Sequence, residues 1–413
     1  MKHSFFSRCA AAGKGIHSNS RKPWAFEKAH CSPLRLGAFE AQAGELHMPQ
    51  THHQQGGIRM SRNTRHLLWS SAAVALIAGN AWADEISLRV GSGHPVGLLS
   101  YTETAHEWFV PELKRRVEER TDHTIEIQEF HAGQVAKVTE VLESTRDGLL
   151  DVGFVSLIFE PSNGFMQNFT LFLPFNSPDP KVVSEAALAT YEEYPVLYSV
   201  FEEDHNQKWL GGACLSNYGL GTNFEWTEFA DLEGHKIAGA GINLDWIAGA
   251  TPVASNLNEA YQSIQSGVYE GYLSTSTWWH TFKLHEVGEY YTKADFGAQF
   301  FNAMTINLQT WESLPPEVQE ILVELGQEWA PVTAEVCARN DAEGVAKLKE
   351  LGVNVSEIST EAKKDWSTAL QQFPNKMAKE ADSRGLPGSD VLKFYMSKVE
   401  ELGHVWPHRY EID

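Results

Sequence analysis

Glu85-Ile-Ser-Leu-Arg-Val-Gly-Ser-Gly-His-Pro95 sets the frame for the chain. Ile86, Leu88 and Val90 alternate with polar residues, the period of a strand with one buried face, and Gly91-Ser-Gly-His-Pro95 breaks the run. Ala105, Trp108, Phe109, Leu113 and Val117 then recur at helical spacing and predict a helix from Thr102 to Arg120. Thr124 to Phe130 reads as a second strand. Val138, Val141, Leu142, Thr145 and Leu149 read as a second amphipathic helix, and Val152 to Leu157 as a buried strand. This alternation predicts an α/β fold with a mainly parallel sheet.

The theme returns downstream. Lys236-Ile-Ala-Gly-Ala240 reads as a short strand, Asn258 to Ser266 as a helix, and Tyr269 to Ser274 as another strand. Between Pro315 and Leu351, Val318, Ile321, Leu322, Leu325, Trp329, Val332 and Val336 keep a helical period interrupted only at Ala330-Pro331, so one long, kinked helix is expected. There is no low-complexity linker and no repeat at a solenoid period, which favours two α/β lobes sharing one continuous fold.

The 413 residues carry a net charge of −21, with 54 acidic against 33 basic side chains, which argues against a nucleic-acid partner. The charge is uneven: residues 1–83 hold ten basic and three acidic side chains, leaving −28 on the remainder. Within the basic stretch, Met60-Ser-Arg-Asn-Thr-Arg65 leads into the apolar run Leu67 to Ala78, and Ala81-Trp-Ala83 offers a small-x-small cleavage pattern. Residues 60–83 are therefore expected to be a signal peptide, residues 1–59 an untranslated or disordered leader, and the protein periplasmic. Of four cysteines, Cys214 and Cys337 lie beyond this leader, and either a bridge or two buried thiols is compatible with export.

Catalytic patterns fail at the residue that would do the chemistry. Gly91-Ser-Gly93 has Val96, and Gly239-Ala-Gly241 has Leu244, where a dinucleotide fingerprint needs its third glycine. His106-Glu107 and His285-Glu286 are followed by Val110 and Glu289 in place of a second zinc histidine. There is no phosphate-binding loop and no nucleophile elbow, and no histidine spacing aims two imidazoles at one metal. The expectation is binding rather than turnover, without catalytic residues, cofactor or metal.

Four stretches carry a resemblance: Gly133-Gln134 with Thr145-Arg-Asp-Gly-Leu-Leu-Asp151; Phe229-Ala-Asp-Leu-Glu-Gly-His-Lys-Ile237; Glu259-Ala-Tyr-Gln-Ser-Ile-Gln-Ser-Gly-Val-Tyr-Glu-Gly271; and Asn307-Leu-Gln-Thr-Trp-Glu-Ser-Leu-Pro-Pro-Glu-Val-Gln319. In this order they resemble the solute-binding proteins of tripartite ATP-independent periplasmic (TRAP) transporters, of the C4-dicarboxylate-binding type. The resemblance implies a two-lobe periplasmic solute-binding protein, type II-like, with crossing strands and a long connecting helix after Leu314-Pro-Pro316. It also implies a small-molecule ligand and permease subunits in the membrane as partners. Residues 84–216 plus 300–338 are expected to form lobe I and residues 217–299 plus 339–413 lobe II, in a monomer.

The site departs from the resemblance. Relatives carry an arginine after Lys-Ile, where a planar guanidinium binds a ligand carboxylate through two hydrogen bonds; here the residue is Ala238. A second basic position falls near Gly219 or Leu220, and the usual amide contact is replaced by Tyr272-Leu-Ser274. A carboxylate buried without a cation costs several kcal/mol. Aromatic candidates stand in their place: Phe154, Phe159, Trp246, Tyr272, Trp278 and Trp279, with Tyr101 and Tyr218 as secondary candidates. These suit a small amine such as an ethanolamine-like solute, with Asp245 or Glu160 as counter-charge. Phe154 fits a hydrophobic core equally well, Phe159 fits a core better than the cleft, and Trp246 and Trp279 fit the cleft better than a core. His94 sits where a strand end presents residues to a ligand, though a turn role fits too, and Asn243, Ser156 and Ser274 are candidate polar contacts. A carboxylate receptor using another cation, or a receptor serving a sensory system, are the alternatives.

Overall fold

The alternation in Glu85–Ser92 becomes a strand in which Ile86, Leu88 and Val90 are buried while Glu85 and Ser87 face solvent. The computed structural model describes residues 85–413; the leader and signal segments at 1–59 and 60–83 lie outside the described residues. Eleven strands follow in chain order among them: β1 (Glu85–Ser92), β2 (Thr124–Phe130), β3 (Val152–Ser156), β4 (Gln207–Leu215), β5 (Gly219–Thr222), β6 (Lys236–Gly239), β7 (Thr251–Ala254), β8 (Gly271–Ser274), β9 (Tyr290–Lys293), β10 (Gln299–Asn307) and β11 (Asn354–Glu357).

They form two sheets, ordered β2-β1-β3-β10-β4 and β11-β9-β5-β8-β6-β7. Each contains a parallel trio built by strand and helix alternation: β2, β1, β3 in the first and β7, β6, β8 in the second. The sheets are nonetheless mixed rather than mainly parallel. β10 runs antiparallel to β3 and β4, and β5 antiparallel to β8 and β9. The chain passes from β4 to β5 and from β9 to β10 through short crossing segments, so these strands enter without the helical crossover that parallel pairing needs. The two crossings touch each other: Tyr218 N–H donates to Gly297 O at 3.3 Å and Phe296 N–H to Tyr218 O at 3.1 Å.

The first helix departs from a regular course. Ser100–Thr104 and Val110–Arg120 are α-helical, and Ala105–Phe109 between them forms a π turn in which Val110 N–H reaches Ala105 O. Pro111 follows immediately, and its ring and missing N–H are accommodated by this wider turn. The next helix is shorter than its periodicity predicts, spanning Val141–Arg146. Gly148 adopts φ +71°, Leu149 and Leu150 both donate to Ser144 O, and Leu149 is left 55% exposed.

The long helix runs from Pro316 to Glu350 without a break at Pro331. It packs on β4 and on the Pro180–Glu193 helix at one end and on the Ser276–Thr281 helix at the other. A Cβ on Gly211 would lie 2.2 Å from Gly326 O, and one on Gly326 would lie 2.1 Å from Leu210 O, so these glycines let strand and helix backbones meet directly. The C-terminal helices Gln372–Ser383 and Gly388–Glu401, expected with the second lobe, pack beside Met166–Phe172, and the latter also beside the Pro180–Glu193 helix. Tyr395 and Tyr410 anchor this end by donating to Asn176 Oδ1 and Pro174 O. No described helix is long and apolar enough to cross a membrane.

Candidate functional site

The parallel trios of the two sheets point their carboxyl ends at one cavity of about 470 Å³, the size of a small-molecule pocket. From the first sheet come Gly93 and His94 after β1, Ala132, Gly133, Lys137 and Val138 after β2, and Ser156, Ile158 and Phe159 at the end of β3. The second sheet supplies Ala240 after β6, Asn256, Leu257 and Asn258 after β7, and Tyr272 and Leu273 of β8. Tyr218 on the first crossing, with Trp278, Phe282, Leu215 and Phe301, completes the wall.

His94 is held from several sides. Gly93 has no room for a side chain, since a Cβ would lie 2.2 Å from Val138 Cα. The His94 carbonyl accepts from Ser92 Oγ at 2.9 Å and from Ala132 N–H at 3.1 Å. Its ring Nδ1 meets Tyr101 Oη at 2.7 Å. Burial lowers the imidazole to about 4, so it is neutral near pH 7. Ala132 and Gly133 both take positive φ, which turns the loop after β2 back toward His94.

Across the cavity, Asn243 Oδ1 accepts from Ala240 N–H at 2.8 Å, which orients its amide and leaves Nδ2 as a donor. Tyr218 stands edge-on to both Trp246 and Trp278, with ring centroids 5.7 Å apart in each case. Among the described residues, Ser156 Oγ, Tyr218 Oη and Asn243 Nδ2 make no protein hydrogen bond. Lys137 is the one lining residue with a formal charge at neutral pH among those described. Its ammonium meets Glu140 Oε1 at 3.4 Å in an exposed pair of the kind that contributes little.

Of the residues singled out from sequence, His94, Ser156, Phe159, Tyr218, Asn243, Tyr272 and Trp278 line this cavity. The others are placed elsewhere. Tyr101 is buried behind His94 and acts on it through the hydrogen bond. Phe154 lies two residues inside β3, fully buried between Phe109 and Trp329 at centroid distances of 5.4 and 5.2 Å. Trp246 is sealed against Phe296 and donates Nε1–H to Leu171 O at 2.9 Å. Trp279 turns away from its neighbour Trp278, as adjacent helical residues do, and donates to Gly288 O at 3.1 Å. Ser274 Oγ donates locally to Thr275 O, Asp245 is exposed, and Glu160 accepts from Asn163; none of the three lines the cavity.

The residues that sequence reasoning missed are chiefly Lys137, Asn256 and Asn258. The rule that selected His94, that strand carboxyl ends present ligand contacts, points to the loop after β2 and so toward Lys137; Asn256 and Asn258 follow β7, a strand that the sequence pattern does not mark. The positions lacking an arginine also have a physical account. Ala238 is fully buried and clusters with Tyr272, Tyr269 and Ala260. At Gly219 a Cβ would lie 2.6 Å from both Thr292 O and Tyr291 Oη.

Two sheets flanked by helices, joined by paired crossings and one long helix, with the carboxyl ends of their parallel strands facing a small-molecule cavity, define a two-lobe solute-binding protein. The family described as bacterial extracellular solute-binding protein, family 7 (DctP), matches residues 99–381, and the chain belongs to this family of TRAP transporter solute receptors. A solute-binding protein of Albidiferax ferrireducens is 23% identical over 298 residues, covering 69% of this chain and 85% of the relative. Among solved structures, a TRAP periplasmic solute-binding protein from Desulfovibrio salexigens superposes with a TM-score of 0.68 at 21% identity, covering 77% of this chain and 97% of that one. One from Bordetella bronchiseptica, with bound (R)- and (S)-mandelate, gives a TM-score of 0.64 at 22% identity, covering 77% of this chain and 99% of that one.

Proposed function

We propose that this chain captures a small organic acid with an apolar body of about one ring, outside the cytoplasm, and delivers it to membrane permease subunits. The observation that carries this reading is the charge of the cavity. Its wall is largely apolar, it offers unpaired donors at Ser156, Tyr218 and Asn243, its one formal charge among the described residues is Lys137, and no described carboxylate lines it. Donors and a cation favour an acid, and aromatic walls favour a ring or branched body. The mandelate held by the Bordetella relative is a solute of this kind.

An amine is the second reading, favoured by the loss of arginine at Ala238 and by the faces of Phe159, Tyr218, Tyr272 and Trp278. It lacks a counter-charge in the wall, because Asp245 and Glu160 lie elsewhere. Binding and release, rather than catalysis, is the proposed activity of a monomer that hinges about the crossing segments at residues 216–218 and 294–298.

Thermal shift of the purified protein against matched aromatic acids, their amides and the corresponding amines tests this. A ligand specific for the native state raises the melting temperature by mass action. Shifts from acids alone support the proposal; shifts from amines alone replace it with the second reading.

A further inference from the structure

We propose that Cys214 and Cys337 are partners in a disulfide that staples β4 to the long helix just before the chain crosses between the sheets. The inference rests on the extracytoplasmic receptor reading, which places the chain where protein disulfides form and persist. The two thiols are free in this structure, fully buried, and face each other with Sγ atoms 3.7 Å apart. Their backbones are already in register: Ser216 Oγ donates to Cys337 O at 3.2 Å, and the Cys337 thiol donates to Cys214 O at 3.5 Å. The glycine contact between Gly211 and Gly326 holds the same strand against the same helix farther along. The sulfurs thus already face each other, and side-chain rotation that shortens their separation would bring them toward bonding distance.

Both thiols are sealed from solvent, and burial raises the Cys337 thiol well above its ordinary value, so Cys337 is not a reactive thiolate in the folded protein. Oxidation belongs to the folding chain, before strand and helix seal the pair. One thiol gives up its proton, and the thiolate attacks a sulfur of a protein disulfide donor, releasing the donor's first thiolate. The second cysteine, also deprotonated, then displaces the donor's remaining sulfur. The cysteines lose two electrons to the donor and two protons overall, and the donor leaves as a dithiol. The bond spans 123 residues of sequence, a loop long enough for closure to restrict the unfolded chain substantially.

The test uses the full chain, exported from cells and recovered from the extracytoplasmic fraction. It is denatured and treated with N-ethylmaleimide before and after reduction, then mapped by peptide mass. The expected result is a linked Cys214–Cys337 peptide pair that takes up label only after reduction. Reduction of the folded protein should also lower the melting temperature by roughly 5 °C. The double variant Cys214→Ser, Cys337→Ser should melt near the reduced protein and ignore reductant. Should it not fold, the reduced natural protein supplies the same comparison. Full labelling without reduction overturns the proposal. Thermal shift with mandelate is read on an undenatured portion of the same preparation, so unlinked thiols in a protein that mandelate still stabilises sink the staple and leave the receptor reading intact.

Discussion

The backbone N–H of Asn217 donates to Asp341 Oδ2 at 3.0 Å, tying the first crossing segment to the long helix. The same residue reaches the second crossing, where its Nδ2 donates to Asp295 Oδ1 at 2.8 Å and its Oδ1 accepts from Gly297 N–H at 3.1 Å. One asparagine thus gathers three segments at the place where the chain passes between the sheets.

Burial holds the Asp341 carboxyl up at about 7, with Asp295 adding repulsion while Asn217 and Lys293 oppose the shift. An unfolded aspartate titrates near 4. Between these values the folded protein keeps a proton that the unfolded chain has released. The stability from this site is therefore full below about pH 4 and is lost as the pH rises to about 7. Asp341→Asn, which keeps an acceptor for Asn217, should flatten that slope and raise the melting temperature at pH 8 by roughly 2–5 °C. Melting curves from pH 4 to 8 decide it; parallel slopes in the two proteins would refute the assignment.

His94 titrates with the opposite sign. Burial lowers it to about 4, against roughly 6.5 in an unfolded chain, so its contribution is present above pH 6.5 and is lost as the pH falls through 4. Tyr101→Phe removes the partner of Nδ1 while keeping the ring. It should lower stability by about 1 kcal/mol and weaken solute binding several-fold by freeing the imidazole to turn. Urea denaturation and calorimetric titration measure the two effects separately.

Lys137 is exposed, so Lys137→Met should leave the melting temperature nearly unchanged. Affinity for an acid should fall roughly 10- to 100-fold, as expected on loss of a charge-assisted hydrogen bond, while affinity for the matching amide should hold. Equal losses for acid and amide would show that the ammonium does not read the carboxylate.

Gly326→Ala sets a new methyl group 2.1 Å from Leu210 O, a backbone atom that cannot swing aside. The substitution should cost about 2–4 kcal/mol, more than its helix propensity returns. An unchanged urea midpoint would mean that strand and helix are not held at the described distance.

Much of the scaffold was legible because its signals are local. β2 begins and ends where alternation places it, and the Leu257–Gln265 helix carries Ala260 and Ile264 on its buried face as the spacing requires. The π turn at Ala105–Phe109 and the early stop before Leu149 were not legible. Pro111 and Gly148 alter backbone geometry without altering the apolar period around them. The site divided along the same line. His94 and Asn243 follow from strand ends, which sequence marks with turn residues. Phe154, Trp246 and Trp279 are large aromatics in buried settings, and sequence does not say whether the atoms opposite belong to a solute or to Trp329, Phe296 or Tyr291. Lys137 lies in the loop beyond the end of β2, where local pattern does not distinguish a lysine facing the cavity from an ordinary exposed one.

Tyr218 has two jobs at one address. Its peptide group makes both rungs between the crossing segments, and its ring is part of the cavity wall. On the proposed hinge, a solute pressing on that ring pushes directly on the axle about which the halves would turn, with no relay in between. Recognition and closure would then be a single mechanical event, and a change of diet that reworks Tyr218 would also reset how readily the jaws shut. Diversification toward new solutes has an easier route through the far walls, at Phe159, Asn256 or Phe282, where the grip can change while the axle stays as it is.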